Sequence, residues 1–256
     1  MAGPTLLDRQ TKAARWRQRE TKGVSMKQIR CYADSRYKGF CVHCGGPDET
    51  DDHVPSKVFL DEPYPANLMV CSSCLGCNNS FSIDEAYVAC FLECVLAGEA
   101  DPAKVKRPKI AKVLANDTAL LERLRRARKE TEATPTWSVE QDRVRAVIVK
   151  LARCHAAYEY NLPQLEEPSF IGLAPLLTMT AAERSAFEGA DASTVAGWPE
   201  VGSRAMQRLL IVDSNVFQED WIVVQEGNYR FRVSQEDGLT VKIVLREYLA
   251  CDVRWS

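Results

Sequence analysis

An α+β fold follows from three features of the sequence: helical apolar periodicity through the middle of the chain, short β-rich runs at its end, and a cysteine-rich segment near its start. From position 207 onward, runs at 209–212, 221–225, 229–234 and 241–246 are rich in Val, Ile, Phe and Tyr, with Asp-Ser-Asn, Glu-Gly-Asn and Glu-Asp-Gly turns between them. That pattern predicts an antiparallel sheet of roughly three to five strands.

Upstream the period is helical. Ser82-Ile83-Asp84-Glu85 has the spacing of a capping box, and Tyr87, Val88, Phe91, Leu92 and Val95 follow, predicting a helix over 83–97 stopped by Gly98. On this reading Asp84 and Glu85 are acids of the helix's first turn. A second helical stretch over 109–130 carries Ile110, Val113, Leu114, Leu120, Leu121 and Leu124. A third opens at Ser138 and aligns Val144, Val147, Ile148, Leu151 and Cys154 on one face. His155 lies in that helix and reads as structural. After a Pro-bearing stretch over 163–176, Thr180 and Glu183 can cap a short helix. The resulting division is a basic helix or arm over 1–38, a compact unit over 39–98, a helical region over 99–200 and a β-rich unit over 201–256.

A hydrophobic content of 46% and a charged content of 27% suit a soluble protein. No run approaches the roughly 20 apolar residues of a membrane span, and Met1-Ala2-Gly3-Pro4 opens no apolar signal stretch, so a cytoplasmic protein without membrane contact is expected. The net charge of −2 does not by itself announce a polyanionic partner. Its distribution does: residues 1–40 hold ten Lys or Arg against three Asp or Glu, and residues 101–130 hold ten against four. Two basic segments therefore flank the cysteine-rich unit, which points to nucleic acid.

Ten cysteines in a reducing compartment argue against a disulfide framework, and five of them fall within residues 41–77. Cys41-Val42-His43-Cys44 and Cys74-Leu75-Gly76-Cys77 are two CxxC steps separated by 29 residues, the ligand set of a closed tetrahedral zinc site. So short and polar a segment has little apolar surface to bury, and metal binding would supply its folding energy. Cys31, Cys90, Cys94, Cys154 and Cys251 read as small packing residues, and His43, with four cysteines available, as a surface residue.

Between the knuckles lie Asp51-Asp52-His53-Val54-Pro55-Ser56-Lys57 and then Asn67-Leu68, and Asn78-Asn79 follows Cys77. The order CxxC, Asp-His, Asn-Leu, CxxC-Asn, covering residues 41 to about 85, resembles the HNH endonuclease family. The resemblance implies a zinc-stabilised ββα-metal core and a metal-dependent endonuclease, with DNA favoured as substrate, of the kind that serves bacterial restriction or anti-phage defence under a regulatory protein partner. It implies that Asp52 ligates a catalytic Mg²⁺ or Mn²⁺, that His53 is the general base for the attacking water, and that Asn67 orients His53. Asn78 takes the family's third position, as a second ligand of that ion, with Asn79 competing for the role. The commoner family spacing would use Cys71 with Cys74, but Leu75 then follows the last cysteine; pairing Cys74 with Cys77 restores a polar neighbour and leaves Cys71 to packing.

Elementary chemistry agrees with this division of roles. Phosphodiester hydrolysis needs a base for the water and positive charge on the phosphate. Neighbouring residues on a strand point to opposite faces, so Asp52 and His53 cannot easily serve one ion side by side. Lys57 is a further candidate for a phosphate contact. The alternative function is a non-catalytic zinc-knuckle module that binds nucleic acid or a protein partner.

Overall fold

The structure is a computed structural model that describes residues 29–30, 39–65, 68–131, 135–189, 217–218, 220–235 and 238–256. The basic arm over most of 1–38, Asn67 and the expected strand at 209–212 lie outside them.

A small sheet comes first. Strands β2 (Thr50–Val54) and β3 (Met69–Ser73) pair antiparallel, and the short β1 (Ile29–Arg30) lies parallel to β3 on its far side. Helix α1 (Leu75–Ala97) leaves β3 after a single residue, giving a hairpin followed by a helix. It starts well before position 83 because Cys74 caps it, its sulfur accepting the Cys77 N–H. Glu85 therefore sits in the helix interior, buried, rather than in a first turn. Gly98 ends the helix at φ +73°, a left-handed conformation that glycine adopts without a Cβ penalty.

The stretch over 109–130 divides into α2 (Pro108–Asn116) and α3 (Thr118–Ala127), because the Asp117 carboxylate accepts the Leu120 N–H and starts a new helix. Strands β4 (Arg128–Lys129) and β5 (Thr136–Trp137) form a short ladder, and α4 (Gln141–Tyr160) follows. Helix α4 is the middle of the molecule. It packs on α1, on β2 and β3, and on the C-terminal sheet.

That sheet is antiparallel and six-stranded, in the order β6 (Phe170–Pro175), β11 (Leu249–Trp255), β10 (Leu239–Leu245), β9 (Tyr229–Gln235), β8 (Trp221–Gln225), β7 (Phe217–Gln218). Its edge strand β6 comes from the Pro-bearing stretch, where Pro175 ends the strand at the sheet's edge, a place that tolerates a missing N–H. Helix α5 (Ala181–Glu188) has the expected capping box, Thr180 and Glu183 each bonding the other's backbone N–H. It completes the set of five α-helices among the described residues.

One buried apolar cluster runs from Val42 through α1 and α4 to Trp255. His155 fastens α4 to the sheet: its ring stacks on Phe231 with centroids 3.6 Å apart, and its Nε2 lies 2.7 Å from the Tyr229 hydroxyl. Arg107 ties the loop after β2 to the helices. Its guanidinium donates to Asp61 Oδ1 (2.6 Å) and to the carbonyls of Val58 and Leu60, and lies 3.7 Å from Glu93 of α1.

The α4–sheet joint can be tested by unfolding in urea. Phe231→Ala is expected to cost about 3–5 kcal/mol, the usual loss for a buried aromatic. Tyr229→Phe, which removes only the hydroxyl facing His155, is expected to cost about 1 kcal/mol. Equal costs would assign the joint to its hydrogen bond and not to its packing.

Candidate metal centre and the two faces of strand β2

The first knuckle is a tight backbone turn. Gly45 N–H donates to Cys41 O (2.9 Å), Cys41 N–H donates to Gly46 O (2.6 Å), and Gly45 takes φ +74°. Val42 N–H and Glu49 N–H bond Ser72 O and Ser73 O of β3, which lays the turn against the strand leading to the second knuckle. There Cys74 and Cys77 occupy the start of α1, and Glu49 Oε2 accepts the Leu75 N–H at 2.9 Å.

The four sulfurs of Cys41, Cys44, Cys74 and Cys77 lie within 4.8 Å of one another, with Cys44 and Cys74 3.8 Å apart. Zinc–sulfur bonds of about 2.3 Å in a tetrahedron put sulfurs about 3.8 Å apart, so the group fits such an ion. Backbone N–H groups aimed at sulfur, His43 to Cys41 (3.4 Å) and Cys77 to Cys74 (3.3 Å), suit thiolates. Burial raises the Cys41 thiol, but hydrogen bonds from the Cys74, His43 and Cys44 backbone reverse it to about 6. This group of four cysteines could hold a metal ion. Cys71 stands apart from it, buried, its thiol donating to Cys154 O at 3.3 Å.

Strand β2 divides the remaining candidates by its pleat. Asp52 and Val54 face inward, while Asp51 and His53 are half-buried on the other side. Asp52 is 5% exposed, and its inward neighbours arrive from both long helices. Lys150 of α4 places its ammonium 2.9 Å from Asp52 Oδ1, 2.8 Å from Ser56 Oγ and 2.6 Å from Glu85 Oε1. The Ser56 hydroxyl donates to the same Glu85 carboxylate. Three N–H donors thus meet three acceptors, which is all an ammonium can offer.

His43 joins from the knuckle. It is buried, not on the surface, with Nε2 3.5 Å from Asp52 Oδ2 and 3.7 Å from Cys154 Sγ, and its ring lies edge-on to Phe81. Burial works against its charge, yet Cys154 and Asp52 raise it to about 10. Cys154 moves the opposite way, to about 6: burial opposes the thiolate, and the Cys71 hydrogen bond and His43 outweigh it. Burial likewise opposes Asp52, and the hydrogen bond with His43 and the Lys150 charge hold it below its ordinary value.

This charge cluster decides whether Asp52 suits a catalytic divalent ion. His43, Asp52 and Cys154 bring three donor atoms within 4.8 Å, but a lysine ammonium already sits on the carboxylate. A divalent ion would be a third cation, facing the Lys150 ammonium and the charged His43 ring at close range in a dry site, so these residues as arranged do not fit one. Asn78 lies on the face of α1 that also carries Phe81 and Glu85, at helical spacings of three and four, whereas Asn79 is exposed.

His53 has a different environment. Its Nε2 is buried without a hydrogen-bond partner. Burial and then the charge of Lys57 lower its pKa, so the ring is neutral at pH 7. Lys57 starts a 3₁₀ turn just past β2, and its carbonyl accepts the Lys109 ammonium of α2 at 2.9 Å.

Sequence reasoning missed Lys150, Glu85 and His43. Lys150 alone left a signal: it interrupts the apolar face of Val147, Leu151 and Cys154, where a charge must find a buried partner. Comparison of the chain with protein-family models, with curated proteins and with solved structures found no match.

Three outcomes are expected. Cys44→Ser and Cys77→Ser are expected to bring zinc, measured by elemental analysis, well below one ion per chain, whereas Asp52→Asn keeps its zinc; equal loss in all three would contradict the separate roles. Lys150→Met strands two buried carboxylates and is expected to cost about 3–5 kcal/mol. Because the folded pKa of Asp52 is depressed, its stabilisation is present above about pH 4 and is lost as pH falls through the folded value. The stability of Asp52→Asn, followed by unfolding as pH falls below about 4, should therefore decline less steeply than that of wild type.

Proposed function

We propose that this chain is a zinc-knuckle hairpin–helix module of the HNH kind that hydrolyses phosphodiester bonds in DNA, with His53 as the general base. The observation that carries the reading is the His53 imidazole: neutral, half-buried, with an unpartnered Nε2, on a hairpin held to its helix by four convergent thiols. Where a water reaches it, a neutral ring with an unpartnered nitrogen can take that water's proton as the water's oxygen bonds to phosphorus. The bond to the leaving oxygen then breaks, and that oxygen takes a proton from solvent. Lys57, whose charge already reaches His53, supports the reading by supplying positive charge on the same side of the strand.

The reading departs from the resemblance at Asp52, which serves the interior. No step of the reaction is routed through a divalent ion. Basic residues on α2, α3 and the segments that flank them, among them the exposed Lys106, Lys112, Arg126 and Lys129, support nucleic acid as the polymer.

The commitment of Asp52 to Lys150 favours a second reading, a zinc module that binds nucleic acid without cutting it. Supercoiled plasmid incubated with EDTA, Mg²⁺ or Mn²⁺ separates the two. Hydrolysis is expected from wild type and a loss of about 10²-fold or more from His53→Ala, the scale of a lost general base. Wild type and variant equally inert in all three conditions, with zinc content and folding intact, would leave the binding module.

A further inference from the structure

Beside His53, two lysines from different elements are held together. The Lys57 and Lys109 ammoniums stand 5.7 and 5.0 Å from the centroid of the same ring, Tyr64. Lys109 also donates to the Tyr64 hydroxyl at 2.7 Å and to the Lys57 carbonyl at 2.9 Å. Neither ammonium has a carboxylate within ion-pair distance among the described residues. Arg107, two positions before Lys109, is by contrast paired with Asp61 and Glu93, and Lys150 meets Asp52 and Glu85. Two half-buried ammoniums thus share one ring, and an anion within reach of both would supply the counter-charge they lack.

We propose that Lys57 and Lys109, gathered by Tyr64, form a phosphate site that seats the backbone of a nucleic acid next to His53. The chemistry fits a singly charged phosphodiester: ammoniums are point-charge donors suited to phosphate oxygens, and neither reads a base. Lys112, one turn beyond Lys109 on α2, is exposed and extends the positive charge along that helix, and Lys106, also exposed, lies in the segment just before it. The site deepens the hydrolytic reading by assigning the scissile strand a place, and rests on that reading only for its position beside the base.

Binding isolates the proposal from cleavage. In the His53→Ala background, the affinity for a fluorescent 16-base-pair DNA duplex and for an RNA strand of equal length is measured by anisotropy over a salt series. Each lysine that neutralises a phosphate contributes about 0.9 to the slope of log affinity against log salt on duplex DNA and about 0.7 on a single strand. Lys57→Gln/Lys109→Gln is therefore expected to flatten the slope by about 1.8 on DNA or about 1.4 on RNA, and the double Arg variant to restore it. A flattening on either polymer supports the site and tells which one it serves. In wild type, inorganic phosphate should shift the His53 ring proton resonances, and the double Gln variant should abolish that shift. Slopes unchanged by the double Gln variant, in protein with normal zinc and folding, overturn the phosphate site whether or not wild type cuts plasmid. Conversely, a flattened slope with inert wild type retains the site and removes the hydrolytic reading.

Discussion

The arrangement depends on one buried ammonium. Lys150 stands where strand β2, helix α1 and helix α4 meet, and each of its donors ends on a different side chain: Asp52 from the strand, Glu85 from α1, Ser56 from the turn after the strand. A lone charge so buried would be prohibitive, and so would either carboxylate without it. The three elements are thus held in one relative position by a requirement of charge pairing, more specific than apolar burial, which tolerates sliding. His43 adds a second cation from the first knuckle and connects the cluster to the cysteine group through its own chain neighbours.

What could be read from the sequence is what is encoded locally. The spacing of Cys41, Cys44, Cys74 and Cys77 suffices to mark a four-thiol group, because the two CxxC turns need only be brought together once. Gly98 as a stop and the Thr180–Glu183 capping box are equally local, each a matter of one turn of backbone. The misread features depend on distant partners. Glu85 looks like a first-turn acid until Cys74 is known to cap the helix, and His43 looks solvent-exposed until Asp52 and Cys154 close over it. Strand β6 could not be read from its own residues, since its pairing with β11 joins segments about 80 positions apart. For the candidate site, the sequence pointed to Asp52 and His53 but could not reveal that α4 pairs a cation with the first and leaves the second with an unpartnered ring nitrogen.

The two neighbours on β2 illustrate how a pleat separates structure from chemistry. Inward, Asp52 is paired with Lys150 and His43, which hold its carboxyl ionised. Outward, His53 keeps an unpartnered nitrogen and a lowered proton affinity beside Lys57. On the proposed reading the strand that carries His53 is fixed by the residue next to it, so the anchoring carboxylate and the proposed base occupy opposite faces of β2.

The same logic links the two ends of the chain. Lys150 and His155 are five residues apart on α4, close to half a turn out of phase, so one side of the helix carries the cation for the hairpin while another carries the ring that stacks on Phe231 of the C-terminal sheet. The knuckle-bearing hairpin offers Asp52 the His43 ring and Glu85 the Ser56 hydroxyl, but the ammonium that the two carboxylates share comes from a helix that the sheet holds in place. Any displacement of α4 on the sheet would accordingly be felt first as an unpaired charge beneath His53. Residues remote from the cysteine group are thereby part of what keeps its neighbouring imidazole in position.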